Sequence, residues 1–261
     1  MKTVECDFET RNVNMMTLYA VGDIHGDMQQ LEMIHARITN DIITNSLDKY
    51  QIIHIGDLVD RQFQSKTVIE YLINGHERGE PWVTLKGNHD RMMTLFIDHK
   101  QQDTKLRTDL TWLHPRLGGL TTLESYGITG LSYEQEDEIQ IEALAKVPTN
   151  HRNFLRNLPT HYDTPQAFFT HAGINPEVTI LNQTENDLIW IREPFHNATG
   201  PFEKLIVHGH TPVDVVTHYA SNRINIDTGA AYGKPLSAIV LDNTGIWQLK
   251  ADGRGEILRI E

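Results

Sequence analysis

Residues 17–27 read TLYAVGDIHGD, a short apolar run that passes directly into a polar cluster containing two glycines. The same arrangement occurs twice more along the chain. Residues 51–55 (QIIHI) run into GDLVDR, and residues 82–85 (WVTL) run into KGNHDR. Short runs rich in β-branched and aromatic residues are typical of buried strands. Each stretch therefore predicts a strand that ends in a functional loop.

Helical patterns follow two of these loops. Leu31, Ile34 and Ile38 fall at helical spacing, and residues 67–73 predict a second helix that stops at Asn74-Gly75. Alternation of strand, loop and helix favours an α/β sheet fold. Because ligands bind at the carboxyl ends of the strands in such sheets, we expect the three polar clusters to be neighbours.

The rest of the chain is interpreted as part of one domain that spans residues 17–261. Residues 99–165 predict a helical insertion or flank, whose Trp112 and leucines are expected to be core. Further strands are predicted at 167–170, 205–207, 224–226, 238–241 and 246–249, with a hairpin turn at 242–245. Residues 1–16 are interpreted as an N-terminal extension to which we assign no function.

Composition limits the classes of partner. The formal charge is 23 − 35 = −12, which weighs against nucleic acid and anionic membranes as partners. No run of about 18 apolar residues predicts a membrane helix. Cys6 is the single cysteine, so an intramolecular disulfide is excluded and a cytoplasmic setting is expected. The 14 histidines of this acidic chain point instead to metal sites with mixed ligands.

Five short segments hold the residue types of a dinuclear metal site. They are DIH at 23–25, GDLVDR at 56–61, GNHD at 87–90, HAG at 171–173 and HGHT at 208–211. Carboxylate, amide and imidazole together suit Mn²⁺, Fe²⁺ or Zn²⁺, whereas calcium takes oxygen ligands almost alone. Two ions that share a carboxylate such as Asp57 can activate a bridging water and polarise a phosphoryl group, which predicts phosphate-ester hydrolysis.

The order of GDIHGD, GDLVDR, GNHD and GHT resembles the calcineurin-like metallophosphoesterase superfamily. GDLVDR, the HAG after AFFT, WIR at 190–192 and IDTG at 226–229 are most similar to its phosphoprotein phosphatase branch. That branch contains bacterial and phage-type Ser/Thr protein phosphatases and symmetrical diadenosine tetraphosphatases. The resemblance covers roughly residues 17–241. It implies a four-layer α/β fold, a sandwich of mixed β-sheets flanked by helices.

The resemblance also implies a role for each site residue. The first metal would be bound by Asp23, His25 and Asp57, and the second by Asp57, Asn88, His171 and His210. His89 would be the general acid and Asp60 the carboxylate that orients it, which makes chemical sense because a neighbouring carboxylate raises the pKa of a histidine. The phosphate group would be bound by Arg61, Arg192 and Asn88. Mn²⁺ is the expected ion, with iron and zinc as alternatives.

Some positions depart from the family pattern. Asp90 stands where the branch usually has Glu, Gln62 where it has Gly, and Pro212 where superfamily members outside the branch place a histidine ligand. We expect His208 to support the ligands, with a direct contact to metal or substrate as the alternative. Asp227 is expected to be a turn residue or to support the ligands, and not to bind metal itself.

The predicted function is hydrolysis of phosphate monoesters by a metal-bridging hydroxide, without a phosphoenzyme. The expected partners are phosphoproteins carrying phosphoserine or phosphothreonine, possible phosphotyrosine substrates, or small phosphoesters. The alternative is a dinucleoside polyphosphate hydrolase with the same site. Residues 99–165 and the loop after Arg192 would then distinguish it from a protein phosphatase. A non-catalytic scaffold is disfavoured because every implied ligand and the acid are present. Two divalent ions add about +4, so the charge of −12 does not exclude phosphate substrates. The sequence specifies no oligomeric state.

Overall fold

The computed structural model describes residues 16–260. The described strands are Thr17–Val21 (β1), Tyr50–His54 (β2), Trp82–Thr84 (β3), His161–Asp163 (β4), Ala167–Thr170 (β5), Leu205–His208 (β6), Thr217–Tyr219 (β7), Arg223–Asn225 (β8), Ala238–Asp242 (β9), Gly245–Lys250 (β10), Gly253–Gly255 (β11) and Leu258–Ile260 (β12). The described α-helices are Met28–Thr44 (α1), Ser65–Glu77 (α2), Asn88–His99 (α3), Gly119–Ser125 (α4), Glu136–Lys146 (α5), Thr149–Asn157 (α6), Glu185–Trp190 (α7) and Glu193–His196 (α8). Short 3₁₀ turns lie at Ile180–Asn182 and Ala230–Tyr232.

The strands form two mixed sheets. The first has the order β11-β10-β9-β1-β2-β3, and the second has the order β12-β7-β8-β6-β5-β4. In the first sheet β1, β2 and β3 are parallel, and Val21 pairs with His54, which in turn pairs with Thr84. The carboxyl ends of the three strands therefore lie side by side, and the loops that follow them leave from one edge.

The core lies in layers on both faces of each sheet. Alternate residues of β1 point to opposite faces: Leu18 and Ala20 pack between the two sheets, whereas Tyr19 and Val21 pack under the helices. The inter-sheet layer is completed from the second sheet by Phe169, Val207 and Ile224, among others. On the far side of the second sheet, Phe168 and Ile206 pack against residues of α7 and α8. This arrangement of helices, sheet, sheet and helices confirms the predicted fold class.

Helix α2 runs past its predicted end. It continues through Asn74-Gly75 to Glu77. A Cβ atom on Gly75 would lie 1.7 Å from the ring of Trp82. The glycine is there because the indole of β3 packs directly on the helix backbone, and it does not end the helix.

Other boundaries follow the sequence more closely. The hairpin turn is confirmed: Asp242 pairs with Gly245, and its carboxylate accepts hydrogen bonds from the Thr244 N–H at 2.8 Å and hydroxyl at 2.6 Å. The three-residue strands β4, β7, β11 and β12 were not predicted. Residues 99–165 contain α4, α5 and α6, but the stretch 101–118 has neither helix nor strand.

Residues 1–15 of the predicted extension, Cys6 among them, lie outside the described residues. Of the helices within residues 16–260, not one combines the length and the apolar character that crossing a membrane requires.

Candidate metal centre

The loops that carry the predicted site have unusual backbone conformations. Eight non-glycine residues of the described chain have positive φ, and five of these are predicted site residues: His25, Asp57, Asp60, Arg61 and His210, with φ between 47° and 74°. Such conformations cost free energy for residues with a Cβ atom and persist where the surrounding structure imposes them. The surrounding structure, and not the backbone preference of these residues, therefore sets the conformation of the site loops.

Asp57 lies at the centre of the site. Its Oδ2 is 3.4 Å from His25 Nε2, and its Oδ1 is 3.4 Å from His171 Nε2. Candidate ligand atoms of His25, Asp57 and His89 lie within 4.8 Å of one another, and so do those of Asp57, His171 and His210. Two groups of donors thus share one buried carboxylate, which is the arrangement that a dinuclear site requires.

Backbone carbonyls orient two of the imidazoles. His25 Nδ1 donates to Val59 O at 2.9 Å, and His171 Nδ1 donates to Ile55 O at 3.1 Å. A carbonyl oxygen can only accept, so the Nε2 atoms that face Asp57 carry lone pairs. Burial lowers the pKa of His25 to about 3 and also lowers the pKa of His171. Both rings are therefore neutral, the form that binds metal.

His171 Nε2 also faces one amide oxygen and one nitrogen of a second imidazole. Asn88 Oδ1 lies 3.0 Å away and His210 Nδ1 lies 3.2 Å away. Because the lone pair of His171 meets an amide oxygen and the Asp57 carboxylate, three electron-rich atoms converge on one point. A divalent cation suits this donor set. Burial opposes ionisation of Asp57, but nearby histidines, among them His89 with its raised pKa, lower the pKa of Asp57 below the usual range, so it is ionised.

Asp23 gives an independent test of whether a cation fits. The side chain is 2% exposed, and its Oδ2 accepts one hydrogen bond, from the His210 N–H at 3.1 Å. Its Oδ1 is buried without a hydrogen-bond partner among the described residues. Burial, and then repulsion from Asp227 and Asp57, raise the pKa of Asp23 well above its usual value. A buried, unpartnered carboxylate oxygen is costly unless a cation compensates it, so the residues present fit the metal.

His89 and Asp60 form a close pair beside these donors. His89 Nδ1 lies 2.5 Å from Asp60 Oδ2, and both side chains are buried. Burial by itself lowers the pKa of His89, but the carboxylates of Asp57 and Asp60 outweigh it and raise the pKa above 6.5. His89 also belongs geometrically to the group around His25. The occupied Nδ1 and the raised pKa favour a proton donor over a ligand.

Two arginines lie at the rim of the site. Arg192 is exposed, and its Nε donates to His210 Nε2 at 3.1 Å. The Arg61 guanidinium donates to the Arg116 carbonyl and lies 5.5 Å from the ring of Tyr232. The Nε of Arg61 is buried without a partner in the described chain. Arg61 is also close enough to His25 and His89 for its charge to lower their pKa values. Both guanidinium groups are thus near the donors and have capacity for an anion.

Asp90 is a structural link that the sequence reasoning missed. Its Oδ2 accepts from Gly87 N at 2.8 Å and its Oδ1 from Leu58 N at 2.9 Å. Burial and the Asp57 charge raise its pKa to about 8. Asp90 therefore ties the GNHD loop to the GDLVDR loop at the start of α3. Its position three residues after Gly87 is the signal that could have indicated a helix cap.

His208 contacts one backbone carbonyl and one arginine side chain, and Asp227 contacts a backbone N–H. His208 Nδ1 donates to Gly209 O at 3.1 Å, and its Nε2 accepts from Arg223 at 3.2 Å. Asp227 Oδ1 accepts from Gly229 N at 2.9 Å, which is the turn contact expected for it, and burial raises its pKa to about 6.

Comparison with known proteins identifies relatives along nearly the whole chain. The family model described as calcineurin-like phosphoesterase matches residues 16–240. The chain is 26% identical over 240 residues to the asymmetrical bis(5'-nucleosyl)-tetraphosphatase PrpE of Anoxybacillus flavithermus, an alignment that covers 84% of this chain and 88% of that protein.

Among solved structures, a putative diadenosine tetraphosphatase is similar with a TM-score of 0.61 and 19% identity, over 94% of this chain and 96% of that one. A cold-active protein-tyrosine phosphatase of a psychrophilic Shewanella species has a TM-score of 0.55 and 17% identity, over 92% and 80% of the two chains. At these identities the two structures show the shared fold.

Proposed function

The chain belongs to the calcineurin-like phosphoesterase family, and on that premise we propose that it is a metal-dependent hydrolase of phosphate monoesters. The proposed substrates are phosphoserine and phosphothreonine on proteins, with phosphotyrosine and small phosphoesters as further members of the class. One observation carries the proposal: Asp57 is shared by two groups of donor atoms, and the His89–Asp60 pair lies against them.

Two divalent cations are part of the proposal, with Mn²⁺ preferred and iron or zinc as alternatives. The first group of ligands is Asp23, His25 and Asp57, and the second is Asp57, Asn88, His171 and His210. Bound in this way, the ions supply an activated water and polarise the phosphoryl group. The unpartnered Oδ1 of Asp23 and the lone pairs that converge at His171 support this assignment.

The chain's own side chains perform the remaining steps. Asp60 holds His89 Nδ1, so the proton that His89 can transfer is on Nε2, and it goes to the leaving oxygen as the ester bond breaks. Arg61, Arg192 and Asn88 bind the phosphate oxygens. A planar guanidinium can donate two parallel hydrogen bonds to phosphate and offset the negative charge that develops on it.

The test follows release of phosphate from a chromogenic aryl phosphate with added Mn²⁺. His89→Asn removes the proton donor and is expected to lower kcat about 10²–10⁴-fold. The matched control is His99→Asn, which makes the same change at an exposed position on the same helix and should leave the rate unchanged. Undiminished turnover in His89→Asn would overturn the proposal.

Hydrolysis of dinucleoside polyphosphates is the second candidate function. It is favoured by the 26% identity to a bis(5'-nucleosyl)-tetraphosphatase over 84% of the chain. Wild-type protein should be incubated side by side with a phosphoserine peptide, a phosphotyrosine peptide and diadenosine tetraphosphate. Release of AMP and ATP would indicate asymmetrical cleavage, and ADP alone symmetrical cleavage. Faster turnover of the dinucleotide than of either peptide would replace the first proposal with the second. A cytoplasmic setting is also proposed, supported by the single cysteine.

A further inference from the structure

Asp60, the partner of His89, is contacted by side chains from the distant region 99–165. Its Oδ2 accepts from Trp112 Nε1 at 2.9 Å, and the same oxygen lies 2.5 Å from His89 Nδ1. Trp112 and Asp60 are both 0% exposed. The indole and the imidazole therefore share one carboxylate oxygen, and neither the indole nor the carboxylate has contact with solvent.

The other oxygen of Asp60 is held by Thr122. The Thr122 hydroxyl donates to Asp60 Oδ1 at 2.7 Å and accepts from the Asp60 N–H at 2.8 Å. Ser65 Oγ lies 3.1 Å from the same hydroxyl. Asp60 has a φ of 74°, a left-handed conformation that is unfavourable for Asp without supporting contacts. Thr122 thus fixes both the backbone and the carboxylate of one residue.

The approach of this segment to Asp60 depends on two glycines. A Cβ atom on Gly119 would lie 2.5 Å from Trp112 O and 2.8 Å from the indole. A Cβ on Gly118, whose φ is 94°, would lie 2.4 Å from the Arg61 backbone nitrogen. Any side chain at 118 or 119 would push the segment away. The close contact with Asp60 and Arg61 is therefore built into the sequence of the segment.

We propose that Trp112 and Thr122 are positioning residues that fix the Asp60 carboxylate, so that His89 presents its Nε2 proton to the leaving oxygen. The inference rests on the proposed phosphate-ester hydrolysis. A carboxylate with one donor can rotate with its partner, whereas one with donors on both oxygens has a single orientation. Proton transfer requires hydrogen-bond reach in the transition state, so this orientation controls the rate. The region 99–165 thereby takes part in the acid step.

The test uses the dependence of rate on the leaving group. Phenolate needs a proton as it leaves, whereas a dinitrophenolate leaves as a stable anion and needs none. Thr122→Val removes the hydroxyl that donates to Oδ1 and accepts from the Asp60 N–H, and it keeps the shape of the side chain. Trp112→Phe removes the donor to Oδ2 and keeps an aromatic ring, but it leaves a cavity where the second ring of the indole was. Both variants should lower kcat on phenyl phosphate about 10-fold and leave kcat on a dinitrophenyl phosphate within about threefold of wild type. Thr122→Ser keeps the hydroxyl and should restore the wild-type ratio of the two rates.

Trp82→Phe is the matched control. Trp82 is buried in the same apolar core cluster, but its ring packs against Gly75 of α2. This variant should lose stability and keep the wild-type ratio of rates. If Trp112→Phe does not fold, as judged by circular dichroism, the nearly isosteric Thr122→Val carries the test.

The outcomes distinguish the positioning role of Trp112 and Thr122 from the proposed phosphate-ester hydrolysis. An active wild-type protein whose Trp112→Phe and Thr122→Val variants slow equally on both phosphates overturns the positioning role alone. A wild-type protein that hydrolyses neither phosphate with Mn²⁺ overturns the proposed function and, with it, this inference. The inference is supported if the ratio of kcat on phenyl phosphate to kcat on the dinitrophenyl phosphate falls in both variants and recovers in Thr122→Ser.

Discussion

Asp23→Asn is predicted to raise the stability of the metal-free protein and to weaken its response to metal. Among the described residues the Asp23 carboxylate is buried with an unpartnered Oδ1, and burial together with Asp227 and Asp57 raises its pKa. A raised pKa in the folded state means that the folded protein binds more protons than the unfolded chain. Stability therefore falls as pH rises from the unfolded value of 3.8 through the folded-state pKa.

The magnitudes follow from this environment. Each unit of pKa shift corresponds to about 1.4 kcal/mol, and removing an unsatisfied buried group typically recovers about 1–3 kcal/mol. We expect a gain of that size in EDTA for Asp23→Asn, largest at high pH. In Mn²⁺ at about 1,000 times the dissociation constant, wild type should gain about 4 kcal/mol. A 100-fold loss of affinity in the variant would reduce this increment to about 1.4 kcal/mol.

The assay is urea unfolding, followed by circular dichroism, in EDTA and in Mn²⁺. Asp41→Asn is the control, since the same substitution is made at a carboxylate that is 6% exposed but fully paired. Asp41 accepts from Arg254 Nε and Nη2, both at 2.8 Å, and from the Tyr19 hydroxyl at 2.6 Å. Breaking such a buried pair costs about 3–5 kcal/mol, and the Mn²⁺ increment should stay as in wild type.

Two results would refute the reasoning. One is a loss of stability in EDTA for Asp23→Asn as large as that of Asp41→Asn, which would mean that the Asp23 carboxylate is satisfied without metal. The other is an unchanged Mn²⁺ increment, which would mean that Asp23 does not bind the ion.

Two further predictions concern the packing around Trp82. Gly75→Ala places a Cβ 1.7 Å from the Trp82 ring and should cost about 1–3 kcal/mol in urea unfolding, while Gly200→Ala, with open space around it, should cost less than about 1 kcal/mol. Equal effects would contradict the packing role of Gly75. Burial lowers the pKa of His35 from 6.5 to about 4, so on acidification the unfolded chain takes up the proton before the folded protein does. The free energy of unfolding should therefore decrease as pH falls from 6.5 to about 4, by about 1.4 kcal/mol per pH unit at most. His35→Gln should flatten this slope, and an identical slope in the variant would show that His35 is not its source.

The sequence predicts the elements whose signal is local and strong. The apolar runs that become β1, β2, β3 and β5 are bounded by polar clusters, and the structure reproduces them to within one or two residues. Strand β7 and the edge strand β12 have three residues each and pair with each other in parallel across some 40 positions of sequence. Three residues are too few to show the alternation of apolar and polar residues that predicts a strand, so pairing with distant residues determines whether these strands form.

The site was predictable in its residue types but not in the contacts that hold it. GDLVDR and GNHD indicated that Asp57, Asp60 and His89 belong together, because strand ends in one sheet meet at one edge. Trp112 was expected to be core, and it is buried, but nothing in the sequence around it indicates that its N–H reaches Asp60, 52 positions away. A hydrogen bond between two side chains that are distant in sequence leaves no periodic pattern, because it depends on the tertiary fold and not on local spacing.

Many of the positions where local rules fail lie in the site. His25, Asp57 and Asp60 have left-handed backbone, and Asp23 has an unpartnered oxygen, whereas most described residues outside the site obey ordinary preferences. Strain and unsatisfied charge at one place lower the stability of the metal-free fold, and the rest of the structure must offset them. The proposed cations would recover part of this free energy, so we expect metal binding and folding to be coupled. In the proposed dinuclear site, the same residues that carry this strain would hold the ions with a fixed set of ligands.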